Sequence, residues 1–236
     1  TPPTEEDGED GGSSGRITSM DEGEQAVVQI VAQGSFVEPG EVLGEAFEVT
    51  GAGSGSGAIL DPEGIVVTNN HVVAGAATLE VYVGGDTDPI SAKVLGVSEC
   101  NDLAVIDLEG DGYPFLGWSG DEPSTGLEVR AAGFPLGDPE FTMTSGIVSK
   151  SEADGDMPWA SIRSTIEHDA NIQPGNSGGP LLNAEDATIV GIDYATSNPG
   201  TGTNQFLAIS SALAQDVVET LRGEEDVLSL GINPQA

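Results

Sequence analysis

Basic residues, cysteine, histidine and aromatic side chains are all scarce in this chain, and each shortage excludes something. Six Lys and Arg face 40 Asp and Glu in 236 residues, a formal net charge of −34. Bare nucleic acid and anionic membrane surfaces are bound through basic patches, so neither is an expected partner. No apolar run approaches the roughly 18–20 residues of a membrane span. Cys100 is the single cysteine, which rules out an intrachain disulfide. A lone Cys is ordinarily a small buried hydrophobe, and that is the role expected here. The chain begins Thr-Pro-Pro and shows no apolar signal segment, so a targeting segment is expected to have been removed.

What is present begins with the distribution of charge. Residues 1–24 hold eight acids and Arg16, leaving 32 acids and five bases on residues 25–236, about −27. An acidic tail therefore does not account for the excess, which covers the folded part. Self-repulsion of that size destabilises a compact state unless salt screens it. The Debye length falls from about 10 Å at 0.1 M salt to about 3 Å at 1 M. A high-salt environment is the expected setting, and an acidic protein steering toward basic partners is the rival.

Residues 1–23 are Gly, Ser, Pro and acid with little to bury, and read as a disordered acidic leader. Short runs rich in Val, Ile and Thr follow, punctuated by Gly, Pro and Asp. Examples are 26–32, 64–68, 78–83, 90–97 and 103–108, then 127–133, 141–149, 161–169 and 188–193. Many short strands at such spacing argue for an all-β barrel or sandwich. Their number suffices for two units, 24–118 and 119–209, joined near Tyr113–Pro123. Residues 210–236 form a helix and tail: Leu213, Val217 and Leu221 recur every four residues, Ser210 or Ser211 can cap the start, and Gly223 ends it. The helix is expected to pack on the second unit.

The strongest local signal is Pro174-Gly175-Asn176-Ser177-Gly178-Gly179-Pro180. Glycines on both sides of one serine allow a tight loop whose N–H groups converge beside the hydroxyl. A serine nucleophile needs such donors for its oxyanion, and it needs a base. No Lys follows the glycines, which excludes a Walker phosphate loop. Only two histidines exist. His71 directly follows a strand in TNNHVV, while His168 lies in an alternating strand with no nucleophile near it in sequence. Asp102, in NDLAV, can orient an imidazole and stabilise its cation. The chain order His71, Asp102, Ser177 is the one found on double β-barrels.

From about Glu24 to Gly223 the chain resembles chymotrypsin-fold serine proteases of the HtrA/Deg family. The matching stretches include GSGSGAIL (53–60), IVVTNNHVVA (65–74), DLAV (102–105), AGFPL (132–136), TSGIVS (144–149), DANIQPGNSGGPLLN (169–183) and QFLAI (205–209). The resemblance implies two antiparallel β-barrels with a C-terminal helix, and no metal or cofactor. It makes Ser177 the nucleophile, His71 the base, Asp102 the group that orients His71, and the N–H groups of Gly175 and Ser177 the oxyanion hole. His168 matches no catalytic position and is expected on the strand surface or in a local hydrogen bond. Asn176 stands where pancreatic-type relatives carry an Asp that pairs with a new N-terminus, so activation by cleavage is not expected. Asn171, six residues before the nucleophile, is neutral, and Ile172 follows it. The first specificity pocket is therefore expected to be aliphatic or small. Substrate is expected as an extended strand along Val190, Gly191, Ile192 and Asp193.

These readings imply a serine endopeptidase acting on unfolded or misfolded polypeptide outside the cytoplasm, either secreted or tethered to the cell surface. The rivals are a chaperone-like or regulatory module with weak or switched-off catalysis, and a processing protease with one native partner. Only 224–236 follow the helix, too short for the peptide-binding PDZ domain most relatives carry, so a protease-only member or a fragment is expected. A homotrimer rests on family analogy alone.

Overall fold

The computed structural model describes residues 15–39, 46–157, 160–197 and 205–227. Twelve strands are found among them. β1 (Val27–Pro39), β2 (Ala46–Ile59), β3 (Ile65–Thr68), β4 (Ala76–Val83), β5 (Ile90–Ser98) and β6 (Leu103–Leu108) close into one antiparallel barrel in the order β1-β2-β3-β6-β5-β4. β7 (Glu128–Gly133), β8 (Thr142–Ala153), β9 (Thr165–His168), β10 (Pro180–Asn183), β11 (Ile189–Ser197) and β12 (Gln205–Ser210) close into a second, in the order β10-β11-β12-β9-β8-β7. Closure leaves neither sheet an open edge. The expected pair of barrels is the observed fold.

Where the apolar runs were continuous, the strands are buried on both faces. β3 is IVVT, buried at all four positions, and fully burying a side chain such as Val66 or Val67 contributes roughly 1.5–3 kcal/mol. β2 has a different origin. Its second half reads GSGSGAI, which carries no β-propensity signal. The glycines serve close approach instead. A Cβ on Gly55 would lie 2.5 Å from Val72, and one on Gly57 would lie 2.7 Å from Val66.

The acidic leader expected over 1–23 lies outside the described residues as far as Ser14. From Gly15 onward the expectation of disorder is corrected. Arg16 forms a parallel bridge with Phe115, and the Ile17 N–H donates to the Phe115 carbonyl at 2.8 Å. Ile17 is buried, and Met20–Ala26 forms a 3₁₀ helix leading into β1. One buried isoleucine and backbone pairing with the inter-barrel connection suffice. That connection joins both barrels, since Leu116 N–H donates to Ile59 and Ser119 N–H to Ile189, each at 2.9 Å.

α1 is one turn (Asn70–Val73), and α2 spans Ser211–Leu221. Ser210 caps α2 by accepting from the Leu213 N–H at 3.4 Å. The buried face is Ala214, Val217, Val218 and Leu221, with Leu213 only partly covered. This helix packs on β5 and β6 as well as on β11 and β12. It therefore braces both barrels, correcting the expectation that it sits on the second alone. Cys100 is half-buried and unpaired, not fully buried as expected. Its carbonyl accepts from Ser161 N–H at 2.9 Å, a further tie across the barrels. Among the described residues no helix is long and apolar enough to cross a membrane.

Candidate active site

The ladder between β3 and β6 pairs Val67 with Val105 and Thr68 with Ala104. The residues just past the end of β3 and just before β6 are therefore neighbours, although 31 positions separate His71 from Asp102. Asp102 Oδ1 accepts from the backbone N–H of His71 at 2.9 Å, and Oδ2 lies 2.7 Å from His71 Nδ1. Asn69 Nδ2 donates to the Asp102 carbonyl at 2.8 Å. Asp102 is buried at 1% exposure, while the His71 side chain is 36% exposed. Asp102 has φ +49°, a left-handed conformation that Asp tolerates better than most residues. A carboxylate held this way favours the ring proton on Nδ1, which makes Nε2 the basic nitrogen.

Ser177 stands between β9 and β10 in a loop whose N–H groups divide into two sets. Asn176 N–H donates to Gln173 O at 3.0 Å, Gly178 to Asp193 O at 2.7 Å and Gly179 to Asn176 O at 2.9 Å. The N–H groups of Gly175 and Ser177 have no acceptor among the described residues. Gly175 has φ +104°, and a Cβ on it would lie 2.6 Å from the Phe134 carbonyl, so only glycine fits.

Ser177 and His71 open on one cavity of about 450 Å³, lined also by Ile172, Gln173, Pro174, Tyr194, Ala195 and Thr196. That lining carries no carboxylate. A hydroxyl and an imidazole backed by a buried carboxylate at one cleft, beside a loop with two N–H groups unpaired among the described residues, suit acyl transfer. Residues 55–192, more than half of the chain, match the family model described as trypsin-like peptidase domain.

The chain belongs to the trypsin-like peptidase family.

Its peptidase domain is similar to those of several proteins named HtrA or DegP-like. It is 38% identical over 188 residues to the putative serine protease HhoB of Synechocystis, covering 77% of this chain and 44% of that protein. It is 39% identical over 176 residues to the serine protease Do-like HtrA of Bacillus subtilis, covering 71% and 39% respectively. A probable periplasmic serine endoprotease, DegP-like, of Hahella chejuensis is 40% identical over 165 residues, with 70% and 34% covered. The chain thus spans less than half the length of these relatives. Among solved structures, the HtrA-type protease AlgW with a decapeptide superposes with TM-score 0.71 at 27% identity, over 86% of this chain and 66% of that one.

Several anticipated binding residues of the peptidase domain lie elsewhere than expected. Ile172 lines the cavity, but Asn171 is exposed, lies outside that lining and offers its carbonyl to Thr144 Oγ1 at 2.8 Å. The strand Val190-Gly191-Ile192-Asp193 is not an open edge. Gly191 and Ile192 pair with β10 on one side and β12 on the other, and all four residues are buried. The pairing of β11 with β10 ends at Ile192, so the wall turned to the cleft is Tyr194–Thr196. His168 is not on the strand surface either. It is fully buried, with Nε2 3.0 Å from Asp193 Oδ1.

Ser56 was not singled out from sequence, yet it ties the first barrel to the nucleophile loop of the second. Its Oγ donates to Gly175 O at 2.7 Å and accepts from Phe134 N–H at 2.9 Å. Its N–H donates to Ser177 O at 2.8 Å, and its carbonyl accepts from Thr68 Oγ1 at 2.7 Å. The signal available was a serine between two glycines, GSG, in a stretch read only as a family match.

Proposed function

We propose that the chain is a serine endopeptidase that hydrolyses unfolded or misfolded polypeptide with Ser177, His71 and Asp102. The observation that carries this reading is Asp102 gripping both the backbone and the ring of His71, beside Ser177 and the two unpaired N–H groups. Ser177 Oγ attacks the scissile carbonyl while His71 Nε2 takes its proton, and Asp102 stabilises the imidazolium. The carbonyl oxygen, now anionic, accepts from Gly175 and Ser177 N–H. His71 returns the proton to the leaving amine, and water then repeats the sequence on the acyl-enzyme. Substrate lies extended along Tyr194–Thr196, with a small or aliphatic side chain in the uncharged cavity beside Ile172. An extended substrate must present unpaired backbone, which selects unfolded chain.

Relatives named as periplasmic endoproteases support an extracytoplasmic location. The charge of −34 supports a high-salt one. The test is hydrolysis of reduced, unfolded casein across a salt series, comparing wild type with Ser177→Ala. Wild type is expected to cleave, fastest at high salt. Equal rates for the two proteins would end the enzyme reading, and a fold fully stable in dilute buffer would end the high-salt reading.

A further inference from the structure

The second barrel contains another His–Asp pair, which the reaction above does not use. His168 ends β9 and Asp193 lies in β11, with β12 running between them and pairing Phe206 with His168 and Ala208 with Asp193. Ladder partners point to the same face, so both polar side chains enter the apolar interior of the barrel. Their surroundings there are Val148 from β8, Ile166 from β9, Leu181 from β10, and Phe206 and Ala208 from β12. Glu167 and Lys150, the nearest other ionisable groups on β9 and β8, pair with each other at 2.6 Å. Asp169, past the end of β9, accepts from the Ile147 N–H.

Both side chains of the buried pair have no solvent exposure. Nε2 and Oδ1 are in contact at 3.0 Å, and His168 Nδ1 and Asp193 Oδ2 have no hydrogen-bond partner among the described residues. Burial pushes the Asp193 carboxyl above its ordinary value, and attraction from His168 offsets this only in part. An apolar pair of similar volume would serve stability as well or better. Stability is therefore a poor account of the pair, and its attachment is a better one. The Asp193 carbonyl accepts from Gly178 N–H at 2.7 Å, and its N–H donates to Gly179 O at 2.9 Å. Those glycines follow Ser177 directly. On the other side, a register shift after Asp193 leads into the cavity wall at Tyr194–Thr196.

We propose that His168 and Asp193 are positioning residues: their buried contact fixes the β11 backbone and, through Gly178 and Gly179, sets Ser177 and its neighbouring N–H groups against the cavity wall. This rests on Ser177 being the nucleophile. The experiment measures labelling of Ser177 by diisopropyl fluorophosphate, with kcat and KM on unfolded casein, well below the Tm of each variant. His168→Leu with Asp193→Val removes the polar contact while keeping an apolar filling. It is expected to melt at or above wild type, while labelling and kcat fall about ten- to a hundredfold and KM stays within about twofold. Asp193→Asn keeps an oxygen facing Nε2 and is expected to hold labelling within about threefold of wild type. Wild-type labelling in the folded double variant, a loss confined to KM, or an Asn variant no better than the double would each overturn the inference. Failure of the double variant to fold would make the pair structural and overturn it too. An unlabelled wild type would instead remove the nucleophile assignment itself, and the inference with it.

Discussion

His71–Asp102 and His168–Asp193 are the same two residue types at nearly the same separation, 2.7 and 3.0 Å, with opposite surroundings. Asp102 is buried yet met by the His71 N–H, and its histidine opens on a cleft. Asp193 is buried without such a donor among the described residues, and its histidine is sealed among apolar side chains. The pair alone does not make a general base. What matters is what the second imidazole nitrogen faces. In the first pair it faces a cavity shared with a hydroxyl. In the second it has no hydrogen-bond partner among the described residues, and the pair acts through backbone.

The largest expected effect breaks the comparison at its active side. Asp102→Asn should lower kcat on casein by about four orders of magnitude by allowing the wrong tautomer, with the fold intact by circular dichroism. Asp193→Asn, the same change in the other pair, should cost little. Next comes Ser56, which holds the nucleophile loop from the first barrel as Asp193 does from the second. Ser56→Ala leaves Phe134 N–H and Gly175 O unpaired, so denaturant unfolding should show a loss of about 1–3 kcal/mol. The rate should fall about five- to 150-fold, the same free energy expressed at the oxyanion loop.

Smaller effects sharpen the electrostatic side. Because the Asp193 carboxyl is raised in the folded state, the unfolded chain releases that proton first as pH rises. Its contribution to stability is full below the ordinary carboxylate value and lost as pH climbs through the raised one. The Tm of Asp193→Asn relative to wild type should therefore increase between pH 4 and pH 8, by about 2–4 °C for each kcal/mol. A constant difference would contradict the assigned cause. Tyr194 is pushed up to about 12, mainly by burial. Its contribution is full below the ordinary tyrosine value and lost as pH rises toward about 12. Tyr194→Phe should therefore flatten the alkaline fall in Tm, although it gives up the 2.9 Å bond to Gly155 O. The smallest effect belongs to Lys93–Glu224, exposed on both sides at 2.8 Å. Lys93→Ala should leave Tm unchanged within error.

Residues of one periodicity made most of the fold legible. β3, β5 and β6 stood out as Val- and Ile-rich runs, and α2 stood out as a four-residue repeat with a serine cap. β2 did not, because Gly55 and Gly57 are there for what approaches them, and closeness in space leaves no periodic trace. The Ser177 loop and the segments bearing His71 and Asp102 were readable because glycine and histidine were placed where little else explains them. Arg16 and Ile17 were hidden because one apolar residue in an acidic stretch carries no pattern. His168 shares its parity with Ile166 on the strand, so its inward direction was written in the alternation. Its partner, 25 positions later on a strand that is not its neighbour, was not. The part of β11 that faces the cleft is Tyr194–Thr196 rather than Val190–Asp193, because a strand's free length depends on where its partner stops, and β10 is only four residues long.

The ties made by Ser56 have a consequence for the order of events in synthesis. His71, Asp102 and Ser56 all belong to the barrel made first, and Ser177 to the barrel made after it. The loop bearing Ser177 takes its shape from Ser56 on one side and from β11 on the other, and β11 is itself held by β12, which ends at Ser210. A growing chain would therefore carry an inert serine until β12 had emerged and both barrels had met. The activity proposed on unfolded chains would by that ordering be withheld from the chain still being made.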